Sequence, residues 1–428
     1  MKVSLNWLKD YFPITQPAEE IANHLTALGL EASFVNIGIG FSDVVLGKVL
    51  ECKAHENADK LFVCKVDIGD GQIYNIVCGA PNIKSDIYVP VAKVGAKLQS
   101  GKFEIKKAKL RGVESHGMIC SGKELDFNND HDGIMILNTS EKLGEPIENI
   151  LNIKNDIIFE LDLTPNRGDC LSHLGVAREL GISLNNTASR RSIIKFKEEG
   201  SFINDEVKIN INDSKACNRY VARVIKGVRV SPSPSWLVER LNSIGLSSIN
   251  NIVDAANYVL MDSGHPMHTF DFDKVSDHQI NVRYAKKGEK IKTLDGLTRD
   301  LNDFHLLICD SKKPIALAGI MGGVNSEISD DTSNIILESA YFDPTTIRKG
   351  AKSLDLSTDA SRRFERDTDI DSLVPSINQL TQLILDIAGG MVSTDLIDVY
   401  PNKKQKKSIL FSVKKCEELL GITDLNNK

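Results

Sequence analysis

The sequence predicts an α+β chain of several domains: a small β-barrel inserted in a small α/β domain, followed by a large mixed α/β domain. Three observations carry this. The chain has 428 residues, and at about 100–200 residues per domain that suggests two to four units. Between Val44 and Leu137, short strands rich in β-branched residues recur at close intervals with turn signals between them, the pattern of a small barrel. Helical periodicity flanks that stretch, and a mixed pattern of strands and helices runs from residue 206 to 400.

Residues 1–40 begin with a short helical entry. Thr15 is a candidate cap, Pro17 suits a first helical turn, and Ile21, Leu25 and Leu28 fall at helical spacing before Gly29 stops the run. Residues 41–150 hold the barrel. Leu61–Ile68 and Ile73–Cys78 read as strands joined by a turn at Gly69-Asp-Gly71. Residues 151–190 return to the mixed pattern, with a helical face at Leu171, Leu174, Val176, Ala177 and Leu180, and Asp169 as its cap. Residues 1–40 plus 151–190 are thus the two flanks of the barrel. The polar stretch from Asn185 to Asp205 reads as a linker or surface crossing. In the large domain, 206–400, Arg219–Ile225 suits a strand, and Trp236, Leu237, Leu241 and Ile244 suit a helix between Ser235 and Gly245. Lys403–Lys407 marks a further boundary, and 401–428 begins another domain.

Hydrophobic residues make up 41% and charged residues 26%, ordinary values for a globular chain with a full core. The net charge of −6 excludes a bulk nucleic-acid polycation, so RNA contacts must come from local patches. The eight cysteines include no C-x-x-C pair, and buried reduced thiols are the expectation. The N-terminus lacks the apolar stretch of a signal peptide, and there is no run of 18 apolar residues, which predicts a cytoplasmic chain with no membrane span.

The most informative stretch lies between Ser247 and Ser361. It contains Asn251-Ile-Val-Asp254, Asn257-Tyr-Val259, Gly264-His-Pro-Met-His-Thr-Phe-Asp271, Ala318-Gly-Ile-Met-Gly-Gly323, Leu337-Glu-Ser-Ala-Tyr-Phe342 and Ser357-Thr-Asp-Ala-Ser361. These segments resemble, in the same order, the editing domain of bacterial phenylalanyl-tRNA synthetase beta subunits. His55-Glu-Asn-Ala-Asp-Lys-Leu61, Cys78-Gly-Ala-Pro-Asn82 and Lys109-Leu-Arg-Gly-Val-Glu-Ser-His-Gly-Met118 resemble the OB-fold tRNA-binding module. Leu163-Thr-Pro-Asn-Arg-Gly-Asp-Cys-Leu-Ser172 resembles the beta subunit on the far side of the barrel. The resemblance implies an OB-fold barrel at 41–150, inserted in a small α/β domain built from 1–40 plus 151–190, and an editing domain at 206–400. Family members run further, through a synthetase-like module and an anticodon-arm binding domain, so the sequence reads as an N-terminal portion.

Tyrosine differs from phenylalanine by one hydroxyl, and an apolar pocket rejects such a near-isostere only by roughly a hundredfold. An editing site should therefore require the hydroxyl. A buried acceptor does this, because a bare ring leaves it unpaired at about 1–3 kcal/mol, more if charged. Glu338, between Ile335-Ile-Leu337 and Ala340-Tyr-Phe342, is the candidate acceptor. An outward-facing glutamate on an alternating strand is the competing reading. The resemblance implies that Glu338 reads the tyrosine hydroxyl and that His268 is the editing histidine, orienting water or the tRNA terminus. Asn257 is a candidate to hold substrate or water, against a packing or capping role. Gly319, Gly322 and Gly323 would let backbone approach a ligand, and no Gly-Lys-Ser/Thr follows to make a nucleotide loop. Thr358 and Ala360 resemble pocket-lining positions. His265, His268, Asp271 and Asp273 match no firm metal spacing, so no metal site is expected.

Lys97, Lys102, Lys106, Lys107, Lys109 and Arg111 form a basic run that suits phosphate binding or simply a solvated face. Of these, Lys102, Lys106, Lys107, Lys109 and Arg111 are candidate tRNA contacts, with Lys106 and Lys107 on opposite faces if they lie in a strand. The resemblance implies tRNA(Phe) and an alpha subunit as partners, in a complex of two alpha and two beta chains. The charging site, with its ATP and magnesium, would belong to the complex, and no cofactor is expected within this chain. One departure stands out: Gly245-Leu-Ser-Ser-Ile249 places Ser247 where many members carry arginine. A non-catalytic tRNA-binding and assembly module is the alternative that this substitution favours. A metal-dependent hydrolase is the third reading.

Overall fold

The computed structural model describes residues 1–38, 40–99, 101–125, 132–151, 155–189, 196–405, 407–423 and 425. Parts of the 41–150, 151–190 and 401–428 segments, and 190–195 of the expected linker, lie outside the described residues. The chain divides into two compact units, one of 1–192 with 235–248, the other of 193–234 with 249–428. No helix among the described residues is long and apolar enough to cross a membrane.

In the first unit, Lys2–Ser4, Asp156–Asp162 and Glu31–Ile37 form a three-stranded antiparallel sheet with Asp156–Asp162 in the middle. Residues more than a hundred apart thus share one sheet, and the chain between them is looped out. The loop carries a five-stranded antiparallel sheet in the order Met118–Ile119, Ile87–Ala92, Val44–His55, Ala58–Asp67, Ile73–Cys78. The outer strands approach each other: His116 donates its backbone N–H to Asn75 O at 2.8 Å and Ser115 Oγ accepts from Val77 N at 3.1 Å. Val49, Cys64, Val66, Ile76 and Val89 are fully buried inside.

Local details of this unit differ from the sequence reading. Helix Ala18–Ala27 has Pro17 at its N-cap and Thr15 outside it, because proline's fixed φ already suits the entry and supplies no side-chain acceptor. Helix His173–Ser183 is capped by Ser172, whose Oγ accepts from Gly175 N, while Asp169 sits in the preceding 3-10 turn. Asp169 is instead engaged by Arg167 at 2.9 Å. Helix Ser235–Ser243 belongs to this unit, where Arg240 pairs with Asp10 and stands over the Trp7 ring. Lys106 and Lys107 lie in the connection between Phe103–Glu104 and Ala108–Leu110, and both are exposed. The expected strand alternation does not apply to them.

The second unit is built on two sheets. The larger runs Glu198–Phe202, Met391–Thr394, Cys217–Lys226, Asn334–Phe342, Met267–Asp271, with Ile397–Val399 also paired to Cys217–Lys226. The smaller runs Lys208–Ile211, Gln279–Tyr284, Leu306–Cys309, Pro314–Leu317, Met321–Gly322. The polar stretch read as a linker ends in a parallel edge strand, Glu198–Phe202, and a short helix, Ile203–Glu206. Tertiary contacts override its composition there: Arg223, itself buried, holds Glu198 at 2.5 Å.

Side chains alternate across a strand, and Asn334–Phe342 shows what each face meets. Ser339 Oγ donates to Leu373 O at the start of helix Leu373–Ala388. On the other face, Ile336, Ala340 and Phe342 join Tyr220, Val224 and Phe270 in a core shared with Leu307, Ile315 and Leu317 of the smaller sheet. Position 338 falls on this inner face. Of the eight cysteines, all in the free thiol form, six are buried; Cys52 and Cys416 are half-buried, against the expectation for them.

Candidate active site

Glu338 lies in a strand that is buried on both faces, Ile335 to Phe342. A single-sided alternation with an outward glutamate is therefore not what this strand does. The residue keeps 5% of its surface exposed. Its Oε2 accepts the Tyr220 phenol O–H at 2.8 Å. Among the described residues, the hydrogen bond to this carboxyl is made to Oε2 and none is made to Oε1. Burial raises the carboxyl to about 7, opposed by the Tyr220 bond, which favours the charged form.

His268 is the direct cross-strand partner of Glu338 in the antiparallel pairing of Met267–Asp271 with Asn334–Phe342. Directly opposed residues share a face, with Cβ atoms roughly 4.5–5.5 Å apart. His268 remains partly accessible and meets Phe270 edge-on, with ring centroids 4.5 Å apart. Burial holds its imidazole down at about 4, so it is neutral at neutral pH. A neutral imidazole so weakly basic suits holding and orienting water better than removing its proton.

Gly322 sits against this histidine. A Cβ on Gly322 would come within 2.7 Å of His268 Cε1, so only glycine lets the imidazole lie there. At Gly319, with φ of +64°, a Cβ would crowd Phe364, Ile347 and Phe342, and at Gly323 it would meet Ile315 O at 2.6 Å. At Gly319 and Gly323 the close neighbours are the protein's own packing and backbone atoms. Thr358 Oγ1 donates to Ile320 O at 2.8 Å and its side chain also caps helix Asp359–Phe364. It thereby fastens the loop that leads to Gly322. Ala360 packs, partly buried, against the shared core.

Asn257 is half-buried in helix Asn251–Ser263. The described hydrogen bonds do not tie it to Glu338 or His268. Its neighbours Asn251 and Asp254 act structurally: Asn251 bridges Ser231 N, Arg229 O and Ile387 O, and Asp254 takes the Ser233 hydroxyl and Ile249 N. His265 is buried with Nδ1 3.3 Å from Ser372 Oγ, and Asp271 accepts the Thr332 hydroxyl at 2.7 Å. Both are therefore turned to neighbours other than His268. Among the basic candidates, Lys107 pairs with Glu114 at 2.9 Å, while Lys102, Lys106, Lys109 and Arg111 are exposed. They belong to the first unit, and Glu338 and His268 to the second.

Sequence reasoning missed Tyr220. Its position inside Arg219–Ile225 reads simply as a strand core residue. The available signal was alternation, since a tyrosine on the buried face of a strand needs a partner for its hydroxyl.

Comparison with known proteins fits this layout. Residues 216–389 match the B3/4 domain and residues 44–146 the putative tRNA binding domain. The chain is 46% identical over 426 residues to the phenylalanine–tRNA ligase beta subunit of Protochlamydia amoebophila, covering 99% of this chain and 53% of that one. It is 47% identical over 425 residues to the same subunit of Geobacter metallireducens, covering 99% and 52%. The chain belongs to the phenylalanine–tRNA ligase beta-subunit family. It spans about half the length of the curated relatives it matches. A solved N-terminal fragment of the phenylalanyl-tRNA synthetase beta subunit from Pyrococcus horikoshii is 16% identical, with 64% of this chain and 74% of that one covered and a TM-score of 0.33, too low to support an argument. Of the residues singled out from the sequence, the buried Glu338 and the partly accessible His268 stand directly opposite each other across the strand pair.

The carboxyl at 338 also makes a prediction about stability. Its folded value of about 7 lies above the unfolded carboxyl range. The stability it contributes is thus fully present below about pH 4.5 and is lost as pH rises through about 7. His265 and His268, depressed to about 3 and about 4, act oppositely: their contribution is present above about pH 6.5 and lost as pH falls through those values. Comparing wild type with Glu338→Gln isolates the glutamate. Denaturant unfolding should show the variant gaining on wild type by on the order of 3 kcal/mol between pH 4.5 and pH 8. A constant difference across that range would contradict the buried carboxyl.

Proposed function

We propose that this chain contributes hydrolytic editing to phenylalanine–tRNA ligase, removing tyrosine from Tyr-tRNA(Phe). The observation that supports it most is Glu338, a buried carboxylate with one oxygen unoccupied, paired across the strand with His268. The unoccupied oxygen would accept the para-hydroxyl of a tyrosyl group, and a phenylalanyl ring would leave it unpaired. Asn257, Gly319, Gly322, Gly323, Thr358 and Ala360 would complete the surroundings of the amino acid.

The reaction is ester hydrolysis. Water adds to the carbonyl carbon, the tetrahedral oxyanion collapses, and the bond to the terminal ribose oxygen breaks. That oxygen takes up a proton lost by the water, releasing tyrosine and free tRNA. The ester is already activated, so a positioned water and hydrogen bonds to the oxyanion suffice without a covalent nucleophile. His268 would orient the water, with the neighbouring ribose hydroxyl assisting.

In this reading the domains are 1–40 with 151–190, an OB-fold tRNA-binding barrel at 41–150, the editing domain at 206–400, and the start of another at 401–428. Lys102, Lys106, Lys107, Lys109 and Arg111 would meet tRNA phosphates. The partners are tRNA(Phe) and the alpha subunit, two of each chain in the cytoplasmic complex. ATP and magnesium serve charging in that complex and no site in this chain.

A second reading, a binding and assembly module that hydrolyses nothing, draws on Ser247, which is exposed and lacks the guanidinium that would clamp a phosphate. Incubating the 428-residue chain with preformed Tyr-tRNA(Phe) and Phe-tRNA(Phe) separates the two. Editing predicts faster release of tyrosine than of phenylalanine. Binding of tRNA with neither ester cleaved above background would favour the second reading.

A further inference from the structure

We propose that Tyr220 is the positioning residue of this site: its phenol O–H occupies Oε2 of Glu338 and so presents Oε1 as the vacant acceptor for a hydroxyl-bearing ring. The inference rests on the editing reading for its consequence, but the coupling between the two side chains stands on geometry alone. Tyr220 is fully buried and its hydroxyl lies 2.8 Å from Oε2. The two residues sit on adjacent strands, where Ala222 pairs with Glu338 and Tyr220 with Ala340. Tyr220 therefore reaches the carboxylate diagonally from the next inward-facing position. A carboxylate has about four lone-pair sites on two oxygens. With one oxygen bonded, rotation about the terminal torsion is blocked and the other oxygen keeps a fixed direction.

The arrangement also bears on charge. The titratable groups that face Glu338 from the strands beside it are Tyr220, Cys217 and His268, and the smaller sheet contributes apolar Ile315 and Leu317 to the same core. No cation among these neighbours stabilises the anion. The Tyr220 bond is what favours the ionised carboxylate against burial. An ionised acceptor left unpaired costs more than a neutral acid does, so this bond sharpens discrimination against a bare ring. A tyrosine in the protein thus makes with one oxygen the same bond that a tyrosyl guest would make with the other.

The test combines two readouts on wild type, Tyr220→Phe and Glu338→Gln. The first is carbon-13 NMR titration of the Glu338 carboxyl carbon in the 428-residue chain, which needs no activity. Losing a bond to the charged form should raise its midpoint by about one to two pH units in Tyr220→Phe. The second is the ratio of tyrosyl to phenylalanyl deacylation against pH, in which hydroxide-driven background cancels. The wild-type ratio should fall as pH drops through about 7, the Tyr220→Phe curve should shift upward in pH by the same amount, and Glu338→Gln should be flat. An unchanged carboxyl midpoint in folded Tyr220→Phe overturns the positioning role, whatever the deacylation shows. Should Tyr220→Phe fail to fold, fluorotyrosine incorporated at position 220 keeps the ring and makes its hydroxyl a stronger donor, and a Glu338 carboxyl midpoint left unmoved by it would overturn the role as well. A shifted midpoint in Tyr220→Phe, with wild type cleaving the tyrosyl and phenylalanyl esters equally, would support the coupling and defeat the editing reading instead.

Discussion

Glu338→Ala is expected to abolish the preference for tyrosyl over phenylalanyl ester. In the wild-type chain a phenylalanyl ring would enter a site where one oxygen of the Glu338 carboxylate has no hydrogen-bond partner among the described residues. Leaving a charged acceptor unpaired costs about 1.5–3 kcal/mol, which translates to about 10- to 100-fold in relative rate. Alanine removes both the penalty on phenylalanine and the bond to tyrosine, so the two rates should converge from opposite sides: tyrosyl deacylation slows and phenylalanyl deacylation rises. The variant also strands the Tyr220 hydroxyl, which loses its acceptor in a fully buried position. Measuring initial rates of both esters, together with thermal unfolding, separates loss of selectivity from loss of fold. A selectivity ratio unchanged from wild type would remove Glu338 from the recognition role.

His268→Ala should behave differently. It is expected to slow both esters by roughly a hundredfold, the low end for a positioned acid–base or orienting group, and to leave their ratio near the wild-type value. The distinction follows from placement. The imidazole stands opposite Glu338 across the strand pair and against Gly322, but no hydrogen bond joins it to the carboxylate among the described residues. Because burial holds it neutral down to about 4, its contribution should be flat from about pH 5 upward. A rate limb titrating near pH 6.5 that disappears in His268→Ala would contradict this and mean that the imidazole ionises near neutrality during turnover.

How far the sequence disclosed this site depends on the kind of information each residue carries. Glu338 and His268 stood out because a carboxylate in an apolar run and a histidine before Thr-Phe-Asp are chemically conspicuous, and the family resemblance placed both. Their direct pairing was not legible, since register between strands about 70 residues apart is set by the fold. Tyr220 was invisible for the opposite reason: it looks like ordinary core, and only the neighbouring strand shows where its hydroxyl goes. The three glycines were read alike from sequence, yet each meets different atoms. Thr15 and Asp169 illustrate the limits of local capping rules, where Pro17 and Ser172 hold the cap positions instead. The edge strand Glu198–Phe202 was hidden by polar composition and is held by the buried Arg223 from strand Cys217–Lys226 of the same sheet. The insertion of the 41–150 segment was expected from the family resemblance on its far side, since composition and periodicity alone do not tie residues 1–40 to 151–190.

The central claim is that an acceptor at position 338 senses a hydrogen-bond donor on the para carbon of an aromatic guest. The most direct measurement is deacylation, by the wild-type chain, of tRNA(Phe) carrying para-aminophenylalanine or para-fluorophenylalanine. Both substituents are small, and only the amino group donates. Rapid loss of the amino compound with the fluoro compound spared to the level of phenylalanine is the predicted result; equal rates for the two would contradict it.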